Sequence, residues 1–101
     1  MKFPTEFKFG HIKYNILYIP EMRDEEGKEL GGMHRLHDGR IFIIEGEDTP
    51  EYKRLVLMHE VLHAIQRCQG IADLKEEQID GIAFGIIQAM QQNSWMREFF
   101  G

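Results

Sequence analysis

The stretch from Thr49 to Gly70, TPEYKRLVLMHEVLHAIQRCQG, constrains this chain more than any other. Thr49-Pro50 reads as the cap and first residue of a helix, with Glu51 well placed near its positive end. Gly70 stops the helix after Gln69, since glycine readily takes the left-handed conformation that ends one. Between those bounds Leu55, Val56, Leu57, Met58, Val61, Leu62, Ala64, Ile65 and Cys68 cover most of the circumference. A helix so apolar is expected near the middle of a fold rather than on its surface. With 101 residues the chain supports a single domain, 1–101, and one core for that helix to organise.

The remaining segments supply what packs around it. Ile12, Tyr14, Ile16 and Tyr18 alternate with His11, Lys13, Asn15 and Leu17, the period of a half-buried strand. Phe3, Phe7 and Phe9 precede a turn at Gly10-His11 and suggest a short partner strand. Pro20 ends the run, and EMRDEEGKEL after it is expected as an exposed loop or short helix. In MHRLHDGRIFII the Asp38-Gly39 pair marks a hairpin, because such pairs accept the positive φ of a tight turn. A second helix is expected from about Leu74 to Gln92, with Ile79, Ile82, Ala83, Ile86, Ile87 and Met90 as its apolar face. Asn93-Ser94 breaks it, and WMREFF should form a final turn or short helix packed down by Trp95, Phe99 and Phe100. The fold class is α+β: a small antiparallel or mixed sheet with a hairpin, packed on the central helix, and a second long C-terminal helix.

Charge and cysteine content narrow the function. Seventeen acids against twelve Lys and Arg give a formal charge of −5, without a basic patch to draw a phosphate backbone, so nucleic acid is not an expected partner. Cys68 is the single cysteine, so no internal disulfide framework is possible. MKFPTEFKFG lacks the apolar region of a secretory signal, and no apolar run approaches the ~20 residues of a membrane span. A cytoplasmic protein without membrane attachment is the expectation.

Three ionisable residues interrupt the apolar helix: His59, Glu60 and His63. As core they would be costly, because buried polar groups need partners. As H-E-x-x-H they make chemical sense. Residues four apart stack on one helix face, so His59 and His63 can aim at one cation. Glu60, one position on, is turned from the ligand pair yet can reach a water beside it. Paired neutral imidazoles suit Zn²⁺. A catalytic zinc site needs a third protein ligand, and His11, His34, His37, Asp73, Glu76, Glu77 and Asp80 are the candidates. Glu76 shares a face with Ile79 and Ala83 and is preferred, with Glu77, about 100° further round, second. Asp80 is placed to orient a ligand imidazole through its other nitrogen.

HEVLHAI followed by a helix carrying Glu76 and Asp80 resembles the zincin metallopeptidases whose third ligand is a glutamate. The order of strand, hairpin, TPE-capped H-E-x-x-H helix and EEQIDGIAFGIIQAMQQN is similar, more narrowly, to small phage-type proteins of the ImmA/IrrE-like metallopeptidase superfamily. The likeness is best over Arg40–Asn93. IDGIAFGIIQAM stands where that family has E-x-x-A-N-x-F-A, and the repressor cleavage known in larger relatives is not carried over. The resemblance implies a minimal zincin-like domain and a zinc-dependent metallopeptidase. His59, His63 and Glu76 would hold Zn²⁺, Asp80 would contact a ligand histidine, and Glu60 would take a proton from water and pass it to the leaving amine. The substrate would be a peptide or protein segment laid along the hairpin edge. The rival reading is a catalytically silent accessory or binding protein whose metal site is structural or vacant. His34, His37 and Tyr52, the last on the His59 face but two turns away, are considered as oxyanion donors, but each is expected as ordinary surface or packing, and Cys68 as a small core residue.

Overall fold

The computed structural model describes residues 3–20, 32–35 (as backbone), 39–44, 49–72 and 74–101. Its elements run β1 (Glu6–Phe9), β2 (Ile12–Ile19), β3 (Gly32–Arg35), β4 (Arg40–Ile44), α1 (Pro50–Gln69), α2 (Glu76–Gln92) and α3 (Trp95–Phe100). The four strands form one mixed sheet in the order β1-β2-β4-β3. β1 and β2 are an antiparallel hairpin around Gly10, and β3 and β4 are a second, with Gly39 at a φ of +68°. The hairpins join through parallel pairing of β2 with β4, Ile16 beside Ile41 and Tyr18 beside Ile43. The EMRDEEGKEL segment lies outside the described residues.

Alternation in β2 and β4 turns Tyr14, Ile16, Ile41 and Ile43 to one face, where they are buried with Ala64 of α1. Phe7, Tyr18, Val56, Leu57 and Cys68 pack around that cluster, so the core lies between the sheet and α1. Ile12, at the turn end of its stripe, stays exposed. The Tyr14 hydroxyl lies 3.5 Å from Cys68 Sγ, tying β2 to the last turn of the helix. Burial, with Cys68 alongside, pushes the Tyr14 phenol up to about 12.

The bounds of α1 follow from its caps. Thr49 Oγ1 accepts a hydrogen bond from the Tyr52 amide at 3.2 Å. At the other end Gly70 has a φ of 64°, its amide donates to the Arg67 carbonyl, and that of Ile71 donates to the Gln66 carbonyl. α1 is less enclosed than its apolar circumference suggests: Glu60 and Ala64 are its buried residues, and the other apolar positions are half-buried between the sheet, α2 and solvent. α2 likewise buries only Ile79 and Ala83 fully, leaving Ile82 and Met90 of its expected face exposed.

The C-terminal segment corrects an expectation. WMREFF forms a short helix, but Trp95, Phe99 and Phe100 are 53%, 76% and 70% exposed and pack edge-on against one another rather than into the core. Asn93 ends α2 with its amide donating to the Ala89 carbonyl, and its Oδ1 accepts from the Trp95 indole, which holds α3 at the end of α2 instead of folding it back. Among the described residues no helix is long and apolar enough to cross a membrane.

Candidate metal centre

α1 presents different residues to its two neighbours. Glu60 and Ala64, four apart, are buried; His59 and His63, one position back on each turn, face α2. α2 begins where it can meet them. Gln66 Nε2 donates to the Ala72 carbonyl at 2.9 Å, fastening the connection to the helix it leaves. Lys75 then caps α2, its amide donating to Gln78 Oε1 at 2.8 Å while its carbonyl accepts from the Gln78 and Ile79 amides. Glu76 and Glu77 stand in the first turn, where a carboxylate is favoured by the helix dipole. Burial of Ile79 against the rest of the molecule brings Glu76, three residues earlier and still largely exposed, beside the α1 histidines and leaves Glu77 outside the cluster.

The result is a convergence of nitrogen and oxygen donors from both helices. Glu76 Oε2 is 2.7 Å from His59 Nε2, and Glu76 Oε1 is 3.0 Å from His63 Nε2. The two Nε2 atoms are 3.1 Å apart. On its other side His59 Nδ1 is 2.6 Å from Asp80 Oδ1. A carboxylate only accepts, so Asp80 is placed to hold the proton on Nδ1 were Nε2 to bind a cation; as the site stands, Nε2 faces a carboxylate too. A lone pair, a second imidazole nitrogen and a carboxylate so crowded need a proton or a cation among them. The donor contacts, 2.7–3.1 Å long, are of hydrogen-bond length, and a small outward shift would let one cation reach all three. Two imidazoles and one carboxylate therefore fit a divalent metal, with the Glu76 flank left open to solvent.

Glu60 completes the site. It is 5% exposed, the one buried charged side chain among the described residues, yet it reaches the same cleft as His59, Glu76 and Asp80. That cleft holds about 640 Å³. Its far end is apolar, formed by Tyr52, Leu55 and Val56 from α1 and by Gly81 and Phe84 from α2. Tyr52, expected as surface or packing, is thus a cleft residue. The signal was its seven-residue spacing before His59, which places the two on one helix face.

Two of the other candidates stand apart from the cluster, and three are not described. His11 sits exposed in the β1–β2 turn, and Glu77, exposed like Glu76 on the first turn of α2, is not among the converging donors. Asp73, His37 and the side chain of His34 lie outside the described residues. Compared with family models, with curated proteins and with solved structures, the chain finds no match.

Proposed function

We propose that the protein is a zinc-dependent peptidase of the zincin kind, akin to the ImmA/IrrE-like superfamily. The convergence of His59, His63 and Glu76 beside a buried, non-ligating Glu60 carries this reading. The same donor types can hold iron(II) in oxygenases; the adjacent buried carboxylate favours hydrolysis, which needs a base beside the metal-bound water. Zn²⁺ bound there supplies Lewis acidity, making a water more acidic and a carbonyl more electrophilic.

The chain's own residues do the rest. Asp80 holds the His59 ring in the tautomer whose Nε2 faces the centre. Glu60, on the wall of the cleft, receives a proton from the attacking water and delivers it to the departing amine nitrogen. β3 is an edge of the sheet and lies against α1, so its backbone can pair with an extended peptide passing the site. A soluble cytoplasmic setting and a phage-type origin go with this reading as part of the same proposal.

Glu60→Gln tests it. The variant should bind zinc as the wild type does while losing hydrolysis of a peptide library by about 10²–10⁴-fold, the usual worth of a positioned general base. Full zinc content with equal inertness in both proteins would instead favour a metal-holding accessory or binding protein. Absence of bound zinc from both would remove the metal reading.

A further inference from the structure

Three aromatics lie open beyond the end of α2, and an apolar pocket lies open near the same end. Asn93 Oδ1 holds the Trp95 indole, and Trp95, Phe99 and Phe100 are left 53%, 76% and 70% exposed. Residues three and four apart share a helix face, so Glu98 and Phe99 stand with Trp95 on α3 while Arg97 is turned away. The pocket, of about 480 Å³, is walled by Leu57, Met58 and Val61 of α1 and by Ile87 and Met90 of α2. Arg54 is the one charged residue of its lining. No residue of this pocket belongs to the metal cleft.

We propose that a second copy of this chain covers the pocket, each copy inserting Trp95 and Phe99 into the other. The volume lies within the ~300–1,000 Å³ of pockets that take ring-bearing ligands. Met58 and Met90 suit such an occupant, because a flexible thioether adapts to a ring and attracts its edge. Charge agrees as well: Glu98, on the ring face of α3, is the counterpart of Arg54 in the pocket. Ile87 and Met90 belong to the last two turns of α2 and α3 follows at once, so pocket and rings lie at one end of the molecule. A single two-fold axis there can seat both α3 helices in both pockets. Two rings of about 150–250 Å² per copy, with the walls that receive them, bury on the order of 1,000 Å² in all. That is the lower limit of a specific interface, so the dimer forms reversibly at micromolar concentration. The pairing uses neither the metal donors nor Glu60, and it does not rest on the peptidase reading.

Trp95 is the single tryptophan, so its fluorescence reads the contact directly. As the protein is concentrated from nanomolar to high micromolar, sedimentation velocity should show monomer passing to dimer. Trp95 emission should shift to the blue over the same range as its ring leaves water. Phe99→Ala, a truncation at an exposed position that the fold tolerates, should weaken dimerisation by at least about tenfold, as loss of an aromatic anchor does. Arg54→Glu should weaken it too, and adding Glu98→Arg should restore it. Monomer at every concentration overturns the proposal, as does a dimer unmoved by both Phe99→Ala and Arg54→Glu. Stoichiometric uptake of anilinonaphthalenesulfonate by a protein that stays monomeric assigns the pocket to a small apolar ligand and overturns it as well.

Discussion

His59 is held on both of its nitrogens by carboxylates of α2, Asp80 at 2.6 Å and Glu76 at 2.7 Å, and the two acids have different tasks. Glu76 shares its oxygens between both imidazoles, whereas Asp80 touches only the far side of one. Removal of Glu76 therefore deletes a donor; neutralising Asp80 leaves the donors in place but weakens the control of one. Zinc titration should show Glu76→Ala as the most damaging of the acid substitutions on α2. Asp80→Asn should weaken binding roughly 10–100-fold, in line with other partners of ligand histidines, and Glu77→Ala should change little. Equal effects from Glu76→Ala and Glu77→Ala would mean the wrong glutamate has been assigned.

At the scale of elements, the helix ends and helix glycines differ in what they require. Gly70 ends α1 at a φ of 64°, where an L side chain is strained, so Gly70→Ala should cost roughly 1–2 kcal/mol. Gly85 lies within α2 with open space around it, so Gly85→Ala should add roughly 0.5–1 kcal/mol by restricting the unfolded chain. Chemical denaturation of the two variants should move the midpoints in opposite directions. The short α3 departs from its pattern: three aromatics in six residues look like core, but a helix pinned at the end of α2 by Asn93 finds no facing layer among the described residues to bury them.

For the whole molecule, the candidate centre bridges α1 and α2, so a bound metal would add a link between these two packed helices. Ligand binding to the folded state alone raises stability; at a hundredfold excess over Kd it adds about 2.7 kcal/mol. Zinc at that excess should raise Tm by roughly 10–20 °C for a domain of this size, and a chelator should reverse it. His59→Ala should abolish the shift. A second molecule-wide property lies at the sheet–α1 interface. Tyr14 keeps its proton in the folded state until about pH 12, while the unfolded phenol ionises near its usual value of about 10. The unfolded state thus releases a proton first, and stability contributed by Tyr14 is full below about pH 10 and lost as pH rises towards 12. Alkaline denaturation of Tyr14→Phe should lack that part of the decline.

Much of this architecture was legible locally. Thr49, Pro50 and Gly70 bound α1 through backbone preferences that need no tertiary partner, and Gly39 and Gly10 mark turns for the same reason. The i, i+4 histidines and the intervening glutamate likewise follow from helix geometry alone. Other features depend on contacts between distant segments. The parallel pairing of β2 with β4 joins two hairpins whose strand patterns would equally suit other orders. Periodicity placed Glu76 on the inward face of its helix, but its approach to both histidines required α2 to be fastened at Gln66 and seated by Ile79. The apolar part of the cleft was hidden because Tyr52 and Val56 are far from Phe84 in sequence and line one cleft only once α1 and α2 have docked. A side chain's direction is set by its own helix; what it faces is set by how the helices dock, and only the folded chain decides that.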